Sequence, residues 1–264
     1  MLTSLQNNQV KQVVSLHRRK GRDESKKFLV EGWRFVEEAV QRGAEIEQVF
    51  VCPTRIPPEW QFLIDEIYVQ RLAVEEVDER LLRRMGTTEE PQGILAVARQ
   101  KTVSWGDLSV DAQSLLLIID GVQDPGNLGT ILRTALASGI TQVCLTSGTV
   151  DLYNPKVLRS TMGTIFSLRV VNEVSTDEII NFCQANSLTM VTADLKGEPL
   201  YSAKIEQVPM ALIVGNEGKG PADQFKTAAD QTVTIPMYNQ VESLNVGIAT
   251  GILLYEIVRR RDFL

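Results

Sequence analysis

Apolar positions along the 264-residue chain fall into two rhythms. In the first hundred residues short extended runs alternate with amphipathic stretches. Phe28-Leu29-Val30-Glu31-Gly32 predicts a strand, 33–42 a helix stopped at Gly43, and Val49-Phe50-Val51-Cys52 a strand closed by Pro53. Residues 62–64 fit either helix or strand, 67–69 a strand, 77–85 a short charged helix and 93–98 a last strand. Residues 101–114 break the pattern and predict a linker, dividing the chain into 1–104 and 105–264. Beyond it the rhythm is βαβ. Leu115-Leu116-Leu117-Ile118-Ile119 is a continuous apolar run, expected of a strand buried on both faces. Further strands are predicted at 143–146, 168–171, 189–192, 211–214 and 233–235, with helices between them. The last helix, 246–261, is apolar on nearly every side to Ile257 and is expected to be buried. The fold class is α/β, a small N-terminal α/β unit followed by a domain with a mostly parallel sheet.

Composition narrows the chemistry. His17 is the sole histidine, which disfavours Ser-His-Asp catalysis and histidine-based metal sites. Cys52, Cys144 and Cys183 are too scattered for a disulfide framework or a C-x-x-C metal pair, so a reducing cytoplasm is expected. The longest apolar runs are too short to span a bilayer, and the polar Gln6-Asn7-Asn8-Gln9 argues against a signal peptide. The formal net charge is −6, split into +5 over residues 1–27 and −11 over the rest. Such a basic end, with Arg18, Arg19, Lys20 and Arg22, can hold a polyanion locally or form a solvated helix face.

Three loops at the ends of predicted strands sit where open α/β sheets place ligands. Asp124-Pro125-Gly126-Asn127-Leu128-Gly129 leads into Arg133, with Asn127 placed to cap the helix. At 100° per residue Arg133 projects about 130° from the apolar stripe of that helix, as a solvated or a functional arginine would. Gly215-Asn216-Glu217-Gly218-Lys219-Gly220-Pro221 follows an apolar run but matches neither the P-loop nor the dinucleotide fingerprint. In the third loop, 235–246, Ser243 and Asn245 precede the last helix and fit as caps.

In their order and spacing these segments closely resemble the SpoU/TrmH family of RNA ribose 2′-O-methyltransferases, in the SPOUT superfamily. The likeness runs through Asp120-Gly121, Asp124 to Gly129 and Arg133-Thr134-Ala135, then Asn154-Pro155-Lys156-Val157-Leu158-Arg159-Ser160 and Gly163. It continues through Ile213 to Gly220, Ile235-Pro236-Met237, Ser243-Leu244-Asn245-Val246 and Tyr255-Glu256. A shorter likeness, over Lys20 to Arg22 and Phe28 to Gly32, marks the N-terminal unit as the family's RNA-recruiting domain. The resemblance implies S-adenosylmethionine as methyl donor with no metal, a C-terminal trefoil knot, a homodimer and an RNA substrate. Ribosomal RNA is the leading substrate, tRNA the nearest alternative, and a non-catalytic RNA-binding protein the second class. By residue it implies a donor pocket at Gly215, Glu217, Gly218, Ile235, Met237, Ser243 and Leu244. Asn127, Arg133, Glu217, Ser243 and Asn245 are placed around the reacting ribose, and Arg18, Arg19, Lys20 and Arg22 on RNA phosphates. A guanidinium keeps its proton, so Arg133 is expected to act as a fixed cation, with Glu217 the candidate proton acceptor besides water.

Overall fold

The computed structural model describes residues 2–205 and 209–261. Its chain separates into two compact units. One runs to Lys101 and takes in Tyr153–Phe166; the other comprises Thr102–Leu152 and the chain from Ser167 onward.

The first unit opens with α1 (Asn8–Ser15) and α2 (Arg19–Ser25), two helices that periodicity left unmarked. The next elements are β1 (Lys27–Glu31), α3 (Trp33–Gln41), β2 (Ile46–Val51) and α4 (Gln61–Val69). β3 (Val74–Glu76), α5 (Glu79–Met85) and β4 (Ile94–Arg99) complete this stretch. The strands order as β1-β4-β2-β3, with β4 antiparallel to β1 and β2, and β2 parallel to β3. The strand expected at 67–69 is instead the last turn of α4, which buries Leu63, Ile64 and Ile67 at helical spacing. The strand beside β2 is β3, whose Val-Glu-Glu sequence carries almost no apolar signal.

Arg22 corrects a second expectation. It is 3% exposed, and its guanidinium donates to the carbonyls of Leu16 (2.8 Å) and His17 (3.1 Å), closing the end of α1. A Cβ at neighbouring Gly21 would stand 2.2 Å from the Ser15 carbonyl oxygen, so α2 lies hard against that turn. Arg22 is therefore structural and cannot reach a phosphate. Arg18, Arg19 and Lys20 are exposed, the latter two facing Asp23 at 3.4 Å and Glu24 at 3.8 Å.

The second unit begins at Thr102, and the stretch expected as a linker packs onto its core. Val103, Trp105, Leu108 and Val110 lie on the apolar cluster, Trp105 stacks on Phe182 at 4.5 Å, and Ser104 and Asp107 form a capping box. β5 (Leu115–Ile119), α6 (Pro125–Ala137) and β6 (Gln142–Thr146) follow. The chain then gives α7 (Pro155–Thr161) to the first unit. It continues with β7 (Arg169–Val174), α8 (Thr176–Ala185), β8 (Thr189–Pro199), β9 (Met210–Val214), α9 (Asp223–Ala228), β10 (Gln231–Thr234) and α10 (Val246–Arg260).

The strands order as β10-β8-β9-β5-β6-β7, every pair parallel. β5 and β9 are buried at every position, which their unbroken apolar runs required. Cys144 and Cys183 share the core on one side of this sheet; Cys52 is buried in the other unit. Against expectation, α10 is not covered all round: Ile248 is 57% and Tyr255 46% exposed, with Ile252 half-buried between them.

Replacing Arg22 by Met should cost about 1–3 kcal/mol in urea unfolding, because a buried and a part-buried carbonyl lose their donor. An unchanged midpoint would mean the carbonyls find other partners.

Candidate active site

A cleft of about 520 Å³ opens beyond the carboxyl ends of β9 and β10 and beside the middle of β8, with the first turns of α10 as one wall. Its apolar lining includes Val233, Ile235, Leu244 and Leu253, and its polar lining Asp194, Lys196 and Glu242. That volume suits a nucleoside-sized ligand.

The loop after β9 is built by Asn216. Its backbone exchanges both N–H···O bonds with Gly220 (3.1 and 2.9 Å), and its Oδ1 accepts from the N–H groups of Gly218 (3.0 Å) and Lys219 (3.2 Å). Its Nδ2 donates to the Gly121 carbonyl at 2.8 Å, tying the loop to the end of β5. The N–H groups that a phosphate cradle would aim at its ligand are spent inside this loop. It offers shape and carbonyls, which suits a donor without phosphate. A Cβ at Gly215 would stand 2.0 Å from Pro221 N, whereas one at Gly218 would meet only the Asn216 Oδ1, at 3.7 Å. Gly215 is thus required by the fold; Gly218 is not.

The side wall comes from an interruption in β8. Thr192 pairs with Thr232, but the next partner of β10 is Glu198 for Val233, so residues 193–197 loop out of the ladder into the cleft wall. Asp194 in this excursion pairs with Lys226 at 2.9 Å, alongside Gly220. Burial alone would raise the Asp194 carboxyl; Lys226 and the Lys196 N–H outweigh it and hold the group below the usual carboxylate range.

Three polar side chains from distant segments meet. Asn127 Nδ2 donates to Glu217 Oε1 at 3.1 Å, while Asn245 Nδ2 donates to Asn127 Oδ1 at 2.8 Å. Glu217 also accepts from the backbone N–H of Gln123 (3.4 Å) and Asp124 (3.3 Å). Partial burial pushes its carboxyl up, but Asn127 and these N–H groups prevail and leave it below its ordinary value. Glu217 is therefore a weaker base than an ordinary glutamate.

The expected donor-site residues Gly215, Glu217, Gly218, Ile235, Met237, Ser243 and Leu244 all line the one cleft. Asn127 and Asn245 join Glu217 by hydrogen bonds. Asn245 also caps α10 as expected, accepting from Gly247 N (2.9 Å) and Ile248 N (3.3 Å). Asn127 does not cap α6: Asp124 is the N-cap and accepts from Asn127 N at 2.8 Å, which frees the Asn127 amide for Glu217. Ser243 lies exposed in the cleft wall and caps nothing. Arg133 is exposed, outside the cleft lining, and makes no hydrogen bond or ion pair among the described residues. Sequence reasoning missed Asp194, Lys196 and Lys226. The one cue was Gly197, whose position tolerates no Cβ because Val233 backbone carbon would lie 2.4 Å away.

Among known proteins, the family model described as SpoU rRNA Methylase family matches residues 114–255, and the MRM3-like substrate binding domain matches 7–96. The chain is 34% identical over 257 residues to the 23S rRNA (guanosine(2553)-2′-O)-methyltransferase RlmP of Bacillus subtilis (strain 168), covering 97% of this chain and 98% of the relative. It is 30% identical to the 23S rRNA (uridine(2479)-2′-O)-methyltransferase of Streptomyces viridochromogenes, covering 93% and 87% of the two. The crystal structure of AdoMet-bound rRNA methyltransferase from Sinorhizobium meliloti superposes with a TM-score of 0.88 at 29% identity, over 98% of this chain and 97% of that one.

Two glycine substitutions separate fold from ligand. Gly215→Ala should cost about 1–3 kcal/mol through overpacking against Pro221. Gly218→Val should stay within about 0.5 kcal/mol in stability, yet weaken binding of S-adenosylmethionine in calorimetry. Unchanged donor affinity in Gly218→Val would remove the loop from the site.

Proposed function

The chain belongs to the SpoU rRNA methylase family, and from that membership we propose that it transfers a methyl group from S-adenosylmethionine to a ribose 2′-hydroxyl of ribosomal RNA. The observation that carries the reading is the single cleft gathering Gly215, Gly218, Ile235, Met237, Ser243 and Leu244, with the Asn127–Glu217–Asn245 contacts beside it. 23S rRNA is the favoured class because the relatives matched nearly end to end are named for it.

When bound, the donor supplies an electrophilic methyl group on a sulfonium, which calls for no metal. The chain's own task is to place a 2′-oxygen in line with that methyl and to exclude water, catalysis by position. The apolar walls at Ile235, Leu244 and Leu253 exclude water. Asn127 and Asn245, each fixed through both ends of its amide, hold the reacting ribose. Glu217, stabilised as its anion, orients Asn127 and leaves the proton to solvent. Arg133, paired with no acid among the described residues, is the fixed cation that holds the adjoining phosphate and stabilises the developing alkoxide. Arg18, Arg19 and Lys20 contact further RNA phosphates.

The exposed strip of Ile248, Ile252 and Tyr255 on α10 supports a homodimer in which a second copy covers it. Family membership also supports a trefoil knot in the C-terminal part of the chain. A cytoplasmic location fits both the substrate and three buried free thiols.

The deciding experiment is radiolabelled methyl transfer to 23S rRNA from a strain lacking the gene, with the modified ribose mapped. Label on a single ribose is expected; absence of label, with folded protein that binds donor, overturns the reading. Arg133→Ala should lose about a hundredfold or more in single-turnover rate with donor affinity unchanged, while Arg133→Lys keeps part of the rate. A pH profile that moves with the substituted side chain would instead make Arg133 the base. Light scattering should report twice the 29.4 kDa chain mass at micromolar concentration; Tyr255→Glu should halve it.

A further inference from the structure

The first unit carries a second concavity, an open basin of about 510 Å³ bordered by His17, Thr87, Thr88, Glu89, Lys156 and Arg159. It brings together the turn after α1, the loop after α5 and the exposed face of α7, where Lys156 and Arg159 lie three residues apart on one side.

The hydrogen bonds around it run in one direction. Arg159 Nη1 donates to Thr87 Oγ1 at 2.9 Å, and that hydroxyl donates onward to Glu31 Oε2 at 2.7 Å. Glu31 further accepts from Thr87 N (2.7 Å), Thr88 N (3.4 Å) and Thr88 Oγ1 (2.5 Å), so its charge is taken up by four donors. Arg159 is thus anchored through a neutral hydroxyl. It forms no ion pair among the described residues and keeps its remaining N–H groups and its charge for a ligand. His17 Nε2 lies 2.8 Å from the Met85 carbonyl oxygen. A carbonyl only accepts, so Nε2 is the donor to it, and the tautomer with its proton there has Nδ1 as an acceptor. Glu89, in the loop after α5, also borders the basin, and its charge directs an anionic ligand toward Lys156 and Arg159. The basin therefore offers a cation pair for a phosphate and an acceptor for a hydroxyl, the two groups that recur along an RNA backbone.

We propose that this basin is a ribose–phosphate subsite for RNA, with Arg159 and Lys156 on a phosphate and His17 Nδ1 accepting from a ribose 2′-hydroxyl. It extends the contact surface of Arg18, Arg19 and Lys20 and gives that surface a means of telling RNA from DNA. The inference rests on the RNA-methyltransferase reading.

The sole histidine makes the test clean, because every imidazole signal in a ¹H–¹⁵N spectrum belongs to His17. Titrating the full-length protein with the dodecamer rU12 should shift the imidazole nitrogens, whereas dU12 should shift them far less. Arg159→Gln should weaken rU12 binding about tenfold and lower the slope of log affinity against log salt by about 0.7–0.9. His17→Lys retains a donor for the Met85 carbonyl but carries no acceptor. It should keep the wild-type melting temperature and lose the preference for rU12 over dU12. An imidazole unmoved at saturating rU12, or an Arg159→Gln slope equal to wild type, overturns the subsite. If wild-type protein methylates 23S rRNA in the same preparation, only the subsite falls. If it neither methylates nor binds 23S rRNA, the functional reading falls with it.

Discussion

The side-chain amide of Asn127 is the contact on which the site depends. It donates to Glu217, 90 residues away, and accepts from Asn245, 118 residues away. An amide engaged at both ends can sit only one way round. Its orientation fixes Glu217, and Glu217 in turn satisfies two backbone N–H groups ahead of α6. Asn245 spends its remaining oxygen on the start of α10. Three loops spread over 118 residues of chain thereby share one set of directional bonds. An aspartate at 127 would set a carboxylate against Glu217 and reverse one donor, breaking the set at its centre.

The sheet beneath makes that meeting possible. Parallel strands deliver their carboxyl ends to one edge, and β5 and β9 are adjacent in register from Leu115 opposite Met210 to Ile119 opposite Val214. The loops after them therefore leave side by side. Asp120 reinforces the junction, accepting from Thr146 Oγ1 at 2.8 Å and from Ala222 N at 2.7 Å, so the loop that begins at Gly215 is pinned where it enters α9. α6 and α10 meet through small residues: a Cβ on Gly247 would lie 3.2 Å from Thr130 Cγ2, and one on Gly251 3.5 Å from Thr134 Cγ2. This close approach brings the first turn of α10 within reach of Asn127.

What the sequence made legible follows from the range of the interactions concerned. The unbroken apolar run at 115–119 is dictated by burial on both faces of one strand, and the glycine loop and the cap at Asn245 are local chemistry. The linker, the 67–69 strand and the cap at Asn127 were misread because distant partners decide them. Trp105 is held by Phe182; 67–69 is claimed by the buried face of α4; Asp124 wins the cap and Glu217 takes the freed amide. The excursion at 193–197 left no periodic trace, since it exists only relative to β10. Arg22 shows the converse: a basic run reads as one surface, yet one member turns inward to the Leu16 and His17 carbonyls.

The three thiols have a practical corollary. Burial, with Cys183 as neighbour, drives the Cys144 thiol far above its ordinary value, and burial with Asp230 nearby pushes Cys183 up to about 12. Cys52, equally buried, has its sulfur 3.3 Å from Thr54 Oγ1. Maleimides attack exposed thiolates, which Cys144 and Cys183 scarcely form near neutrality and none of the three exposes. The natural chain is therefore already suited to site-directed labelling. A single cysteine introduced at exposed Tyr238, on the loop between β10 and α10, would take a spin label or fluorophore without removal of any native residue.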